Sequence, residues 1–209
     1  MKRRIKIGIV DYKVGNISSC RRALDNLGFY TSMVKNSVDI NSKDIILLPG
    51  VGSFDLAMES LKENKMDVII KNTAKDGVPI IGICLGMQIL ASDSTENTFT
   101  KGLDLIPGSI KPISNKNQEI HIGWNQIKLK SELVIPLNKY NKKFFYFNHQ
   151  YSYVGNKKYI ISETNISKDL NIVSIIKNEK VLGFQFHPEK SQKVGHQILK
   201  ESIMSLCEK

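Results

Sequence analysis

The stretch Ile80-Ile81-Gly82-Ile83-Cys84-Leu85-Gly86 joins an aliphatic run to a cysteine that has a glycine two positions away on each side. Such a run is typical of a buried strand, and the residues from Leu85 to Ala91 favour a helix. A nucleophile between two glycines at a strand-to-helix turn matches the G-x-S-x-G elbow, where the glycines relieve backbone crowding and the central side chain projects from the sheet edge. The pattern therefore predicts an elbow with Cys84 as a nucleophile.

Apolar runs and amphipathic segments alternate through the first half of the chain. The pattern predicts strands at Ile5 to Val10, Tyr30 to Val34 and Ile45 to Leu48, and helices from Ile17 to Leu27, Phe54 to Leu61 and Met66 to Lys75. Asn16 is a candidate N-cap and Gly28 a stop signal for the first of these helices. Alternation of this kind predicts a parallel sheet covered on both faces by helices.

The pattern changes after Pro107, where the apolar pieces become shorter and strand-like. The predicted strands there are Trp124 to Leu129, Phe144 to Val154, Tyr159 to Ser162, Ile172 to Lys177 and Val181 to Phe186, followed by an amphipathic helix from Ser191 to Leu206. Asn178-Glu179-Lys180 is expected to form a hairpin turn. The fold class is thus α/β, with a mostly parallel central sheet, flanking helices and an antiparallel, strand-rich second half.

Composition predicts a single domain over residues 1–209. The hydrophobic fraction of 41% and the charged fraction of 24% are those of an ordinary globular chain. No apolar run approaches the ~20 residues that span a bilayer, so we expect no membrane insertion. Cys20, Cys84 and Cys207 form no C-x-x-C pair, which disfavours disulfides and zinc and fits a reducing cytoplasm. We expect no metal and no cofactor.

The net charge of +10 raises the question of a nucleic-acid partner. Because the lysines are spread along the chain and no aromatic-basic motif is present, we predict no nucleic-acid binding and attribute the charge to lysine-rich composition. A second interpretation is that part of the charge faces an acidic partner, or a phosphorylated substrate held by such a partner.

A cysteine nucleophile needs a base, and the chain offers four histidines. His187 ends a predicted strand, and Glu189 follows two residues later, so in extended conformation both side chains project to the same side. Glu189 can then orient the imidazole while His187 serves the sulfur. His121 and His149 lie in strand-like contexts, and His196 falls inside the last helix. The sequence predicts the order Cys84, His187, Glu189 for nucleophile, base and orienting group.

A second glycine-rich loop, Pro49-Gly50-Val51-Gly52-Ser53-Phe54, follows the strand that ends at Leu48. If this strand is parallel to the one before Cys84, the loop lies at the same sheet edge as the sulfur. The backbone N–H of Leu85 is one expected oxyanion donor, and either Val51 or Gly52 supplies a second. The alternatives are a phosphate loop, which lacks its lysine here, and an ordinary turn.

With these pieces placed, the chain resembles the class I glutamine amidotransferases, and among them the glutaminase subunits of imidazole glycerol phosphate synthase. The resemblance covers nearly the whole length. It rests on blocks that occur in the family's order: Asp11-Tyr12 with Gly15-Asn16, Pro49 to Phe54, Gly82 to Gln88, His121 to Asn125, and Gln185 to Ser191.

The resemblance implies that Cys84 forms a glutamyl thioester, that His187 and Glu189 complete a triad, and that Gln88 helps to seat L-glutamine. It also implies that His149, Gln150 and Tyr151 line the pocket for the main-chain groups of glutamine. Because the motifs leave no region for an ammonia-accepting site, the partner is expected to be a separate barrel cyclase, bound as a heterodimer, that makes imidazole glycerol phosphate and an aminoimidazole carboxamide nucleotide.

Two departures from the family pattern leave other functions open. Lys13 replaces a small residue, and Asn148-His149-Gln150-Tyr151 differs from the usual His-Ser-Tyr. A related glutaminase that feeds a sugar amidotransferase of surface-polysaccharide biosynthesis is one alternative. A catalytically silent regulatory subunit and a cysteine peptidase are two others.

Overall fold

The computed structural model describes residues 3–13, 17–113, 120–130, 137–168 and 170–208. The strands in these ranges are β1 Lys6–Val10, β2 Tyr30–Val34, β3 Ile45–Leu48, β4 Ile80–Ile83, β5 Asp93–Ser94, β6 Thr100–Lys101, β7 Gly108–Pro112, β8 His121–Gln126, β9 Lys128–Leu129, β10 Phe144–His149, β11 Tyr151–Gly155, β12 Ile160–Ser167, β13 Leu170–Asn178 and β14 Val181–Phe184. The α-helices are α1 Ile17–Asn26, α2 Ser37–Ile40, α3 Phe54–Glu63, α4 Met66–Lys75, α5 Leu85–Gln88 and α6 Gln192–Cys207.

The central sheet has the strand order β2-β1-β3-β4-β14-β13-β12-β9 in the described residues. Strands β2, β1, β3, β4 and β14 are mutually parallel, and β13, β12 and β9 continue the sheet in antiparallel pairs. The predicted fold class is therefore confirmed. Since β14 from the end of the chain pairs with β4, the residues that follow both strands meet at one edge of the sheet.

Helices cover both faces of this sheet. One core includes Phe54, Leu61 and Ile70 from α3 and α4, and the other includes Leu24 from α1 and Ile203 from α6. Full burial of one such side chain contributes roughly 1.5–3 kcal/mol, so the two cores hold the sheet between its helices. None of the helices that the structure describes is long and apolar enough to cross a bilayer.

The second half of the chain builds two smaller sheets, and here two strand predictions are wrong. Trp124 to Leu129 is divided at Ile127 between β8, in a two-stranded sheet, and β9, in the central sheet. Phe144 to Val154 is not one strand: β10 pairs with β8 in a two-stranded sheet, whereas β11 pairs with β7 in a four-stranded sheet of the described residues. The chain changes sheets at Gln150, whose carbonyl accepts from Ile113. Apolar composition cannot reveal this break, because partners distant in sequence create it.

The predictions for turns and helix ends have different outcomes. Gly28 has φ +87° just after α1, as a helix stop signal requires. Asn178 pairs with Val181 across a two-residue turn, which confirms the hairpin. The helix after Cys84 is shorter than predicted, since α5 ends at Gln88 and a turn continues from there. The candidate N-cap Asn16 lies outside the described residues.

Candidate active site

Cys84 stands at the turn between β4 and α5 and is 5% exposed. Its backbone has φ 52° and ψ −108°, a conformation that L-residues rarely adopt. A Cβ at Gly82 would collide with the carbonyl of Gly86, and a Cβ at Gly86 would collide with the carbonyl of Leu48. The two glycines are thus required by close backbone approach, as the sequence predicts for an elbow.

The neighbouring strand holds this turn in place. The Cys84 N–H donates to the Phe184 carbonyl over 2.7 Å, and the N–H of Gln88 donates to the Cys84 carbonyl over 3.1 Å. Both backbone polar groups of Cys84 are therefore paired despite their unusual dihedral angles. The hydrogen bond to Phe184 also fixes the distance between the elbow and the segment that follows β14.

His187 and Glu189 lie in that segment and contact each other. Nδ1 of His187 is 2.8 Å from Oε1 of Glu189, and the two side chains are 1% and 6% exposed. The predicted pair is present, but the predicted reason is wrong: Pro188–Lys190 forms a 3-10 turn instead of an extended segment. The turn brings the carboxylate back to the ring, and the His187 N–H is anchored to the Tyr146 carbonyl over 2.9 Å.

The electrostatic environment of His187 favours its protonated form. Burial lowers the pKa of the ring, but a Cys84 thiolate and the Glu189 carboxylate next to it outweigh burial and raise the pKa to about 10. Nε2 of His187 is a buried nitrogen that has no hydrogen-bond partner among the described residues. When the sulfur is instead protonated, the Cys84 thiol donates to the Asn148 carbonyl over 3.7 Å. His187 is thus placed and charged to stabilise a negative sulfur.

His149 is held in a different hydrogen-bond chain. Its Nδ1 lies 2.8 Å from the carbonyl oxygen of Tyr151, and its Nε2 lies 3.0 Å from Nδ1 of His121. Burial lowers the pKa of His149 to about 3, so the ring is neutral at physiological pH. Because both ring nitrogens already take part in hydrogen bonds, neither is available to take a proton from Cys84. His149 therefore lines the cavity and is poorly placed to act as the base.

A cavity of 230 Å³ opens beside the elbow. It brings together the predicted residues Val51, Gly52, Cys84, Leu85, Gln88, His149, Gln150 and Tyr151. Pockets for drug-sized ligands measure about 300–1,000 Å³, so this one suits a molecule of amino-acid size. The Gln88 amide nitrogen donates to the Tyr151 carbonyl over 3.1 Å, which joins the two sides of the cavity.

Three further residues line the cavity: Glu96, Ile120 and Asn148. Of these, Asn148 belongs to a departure from the family pattern that the sequence shows, whereas Glu96 and Ile120 escape sequence reasoning. Glu96 bears the one charged side chain among the described lining residues, and burial raises the pKa of its carboxyl. It also accepts a hydrogen bond from the Phe54 N–H over 2.8 Å. Glu96 lies in a polar connection between two short strands, where a glutamate is ordinarily solvated, so no pattern in the sequence marks it.

Comparison with known proteins agrees with this geometry. The family described as glutamine amidotransferase class-I matches residues 8–206. Two proteins named imidazole glycerol phosphate synthase subunit HisH are similar over most of their length. The protein from Listeria innocua is 38% identical, and the match covers 93% of this chain and 93% of that protein. The protein from Oceanobacillus iheyensis is 37% identical, with coverage of 93% and 96%.

Solved structures show the same fold at low sequence identity. PurLQS from Thermotoga maritima superposes with a TM-score of 0.76 at 20% identity, covering 98% of this chain and 100% of that one. A crystal structure of a glutamine amidotransferase gives 0.71 at 15% identity, with coverage of 96% and 98%. The elbow, the cavity beside it and these likenesses lead to one conclusion: the chain belongs to the class-I glutamine amidotransferases, in the HisH branch of that family.

Proposed function

We propose that this chain is a glutaminase subunit that hydrolyses L-glutamine at Cys84 and delivers the ammonia to a separate synthase. The observation that best supports this proposal is that three features lie together. They are a strained cysteine on the β4–α5 turn, the buried His187–Glu189 pair after β14, and a cavity of amino-acid size beside them. Family membership supports the reaction class, and the geometry supports these residues for it.

The reaction begins when the Cys84 sulfur attacks the side-chain amide carbon of glutamine. His187, protonated at neutral pH, gives a proton to the departing nitrogen, so the C–N bond breaks, ammonia leaves and a thioester remains. Water then attacks the thioester while His187 accepts its proton, and glutamate is released as the Cys84 thiolate and the protonated His187 are restored. Glu189 holds the ring through Nδ1 and stabilises the imidazolium.

Negative charge builds on the carbonyl oxygen during both steps. The Leu85 N–H is the first oxyanion donor, because it belongs to the residue after the nucleophile. The Pro49–Phe54 loop supplies the second from Val51 or Gly52, and both residues line the cavity. Loss of one such donor typically costs about 10²–10³ in kcat.

The cavity also has groups that suit the main-chain end of glutamine. Glu96 places a carboxylate where it can pair with the α-ammonium group, and Gln88 offers its amide oxygen, since its nitrogen is bonded to Tyr151. Gln150 and Tyr151 line the cavity with them, next to His149. This assignment gives the pocket a reason to prefer a free amino acid over a peptide side chain.

We propose that the acceptor synthase is the barrel cyclase of imidazole glycerol phosphate synthase, in histidine biosynthesis. The name imidazole glycerol phosphate synthase subunit HisH, which the relatives carry, supports this choice. We place the heterodimer in the cytoplasm and assign one glutaminase domain to residues 1–209. A sugar amidotransferase is the competing acceptor, and it differs from the cyclase in the substrate that stimulates ammonia release.

The test is glutamine turnover by the purified chain with the cyclase, comparing wild type with Cys84→Ala. We expect the variant to lose ammonia release while keeping its circular dichroism spectrum and cyclase binding.

A glutamine-like electrophile should label Cys84 and spare Cys20, which is buried, and Cys207. Near-normal ammonia release by Cys84→Ala, or an adduct on another cysteine, contradicts the assignment. Stimulation by a sugar-amidating partner and never by the cyclase supports the competing acceptor.

A further inference from the structure

The Pro49–Phe54 loop is tied at both ends by side chains from other parts of the chain. At its start the Tyr12 hydroxyl donates to the Pro49 carbonyl, and at its end the Phe54 N–H donates to Glu96. Between the two ties lie Val51 and Gly52, which face the cavity. Gly52 has φ +130°, a conformation that favours glycine. The loop is therefore anchored at its ends and relies on glycine between them.

The Pro49 carbonyl has a structural need for the Tyr12 hydroxyl. β3 pairs with β1 only as far as Leu47 and with β4 only as far as Leu48, so Pro49 lies just beyond the ladder. A buried carbonyl at that point requires another donor. Tyr12 provides it from the residues that follow β1, with a side chain that is 1% exposed. Burial raises the pKa of its phenol, so the hydroxyl keeps its proton.

The contact extends from the Pro49 carbonyl to the next residue. A Cβ at Gly50 would stand 2.5 Å from the Tyr12 oxygen and 3.1 Å from the Leu85 Cβ. The hydroxyl therefore packs against the α-carbon of Gly50 as well as bonding to Pro49. Because the peptide unit is planar, these contacts fix the Pro49–Gly50 plane. The direction of the Val51 N–H relative to this plane then depends only on the φ and ψ angles of Gly50.

We propose that Tyr12 is a positioning residue for the oxyanion loop, whose hydroxyl fixes the Pro49–Gly50 peptide and thereby the direction of the donor that follows it. The proposal rests on the glutaminase function above. Tyr12 does not line the described cavity, so its effect passes through the loop. Its loss should lower the stabilisation of the oxyanion without changing how glutamine binds.

Tyr12→Phe removes the hydroxyl and keeps the ring, and the heterodimer with the cyclase is the form to test. We expect kcat for glutamine to fall about tenfold, less than for complete loss of an oxyanion donor, with KM within twofold of wild type. Alkylation of Cys84 by iodoacetamide is a direct displacement that forms no oxyanion. Its rate and pH profile should therefore stay unchanged, which also shows that the site is folded.

Tyr153→Phe is the matched control. Tyr153 is likewise 1% exposed, and its hydroxyl donates to a proline carbonyl, that of Pro107, over 2.6 Å. It does not line the cavity beside Cys84. This variant should lose comparable stability in thermal unfolding yet keep wild-type kcat and KM, which separates general destabilisation from an effect on the loop.

Three results overturn the proposal. If Tyr12→Phe keeps wild-type kcat, or if Tyr153→Phe lowers kcat equally, Tyr12 does not position the donor. If alkylation of Cys84 changes in parallel with kcat, Tyr12 acts on the sulfur and not on the loop. A wild-type heterodimer that releases no ammonia from glutamine contradicts the proposed function itself, a result that the two variants cannot produce.

Discussion

The proton chemistry at Cys84 depends on which nitrogen of His187 carries a hydrogen in the neutral ring. Nδ1 lies 2.8 Å from Oε1 of Glu189, and a carboxylate only accepts hydrogen bonds, so Nδ1 carries the hydrogen. Nε2 is left to exchange a proton with the sulfur and with the leaving nitrogen. In the proposed mechanism the two residues therefore have separable tasks, proton transfer for His187 and orientation for Glu189.

Substitution of these residues should differ in severity. We expect His187→Ala to lose at least about 10³ in kcat, because no group then transfers the proton. Glu189→Gln should lose about 10- to 100-fold, as is typical for a partner that orients a histidine. Steady-state kinetics with glutamine measures both, and iodoacetamide alkylation reports the state of the sulfur. Full activity in His187→Ala, with loss in His149→Ala, would move the base to the other histidine.

The buried ring of His149 makes stability depend on pH. Its pKa is about 3 in the folded chain, chiefly because of burial, against about 6.5 when unfolded. Between these values the unfolded chain binds a proton that the folded chain does not, so stability falls as pH falls. The contribution of His149 to stability is therefore fully present above pH 6.5 and is lost progressively as the pH falls below that value. The limiting slope of this loss is about 1.4 kcal/mol per pH unit.

Urea unfolding between pH 7 and pH 5 tests this dependence. We expect the wild-type free energy of unfolding to fall by about 2 kcal/mol over the interval from this group, and the dependence to be flatter in His149→Gln. Equal pH dependence in wild type and His149→Gln would show that His149 is charged in the folded chain.

At the scale of elements, the strand-turn-helix unit around Cys84 tolerates no added side chain. We expect Gly86→Ala to cost about 3 kcal/mol or more, because its Cβ would meet the backbone carbonyl of Leu48 in β3 and neither backbone segment can move freely. Gly77→Ala is the comparison: it has φ +79° but nothing within 4 Å, so only backbone strain of about 1 kcal/mol applies. Chemical unfolding measures both. Equal losses would mean that crowding at the elbow is unimportant.

The elements that sequence predicts well are those whose signal is local. Ile80 to Ile83 is a buried run between turn residues, and the glycines at 82 and 86 show the tight turn directly, so the elbow could be placed from residue types alone. Tyr12 and Glu96 gave no such signal, because their roles come from contacts with Pro49 and Phe54, which are 37 and 42 positions away.

The break at Gln150 shows the same limit for strands. Phe144 to Val154 has one continuous strand-like composition, yet its two halves pair with strands from different parts of the chain. Likewise the 3-10 turn at Pro188–Lys190 brings Glu189 to His187 by a route that alternation along a strand does not describe. Pairing partners and turn geometry, both non-local here, decide these features.

At the scale of the whole molecule, an exposed apolar surface lies near the active site. It is formed by Ile122 and Trp124 of β8 and Phe144 of β10, which are 59%, 43% and 51% exposed. Trp124, whose residue type suits either core packing or docking, is thus not a core residue. β10 continues into Asn148, whose carbonyl accepts from Cys84, so this surface and the nucleophile share a strand.

We therefore expect the chain alone to be a slow glutaminase, and the cyclase carrying its ribonucleotide to raise the rate severalfold or more. An uncoupled site would hydrolyse glutamine with no acceptor for the ammonia, so activation should cross the interface. The Pro49–Phe54 loop can carry it, because Gly52 lets the backbone between the two anchors reorient at low cost. Glutamine turnover is to be measured for the chain alone, with the cyclase, and with cyclase plus ribonucleotide, using Cys84→Ala as the blank. Full activity alone, unchanged by either addition, would refute coupling.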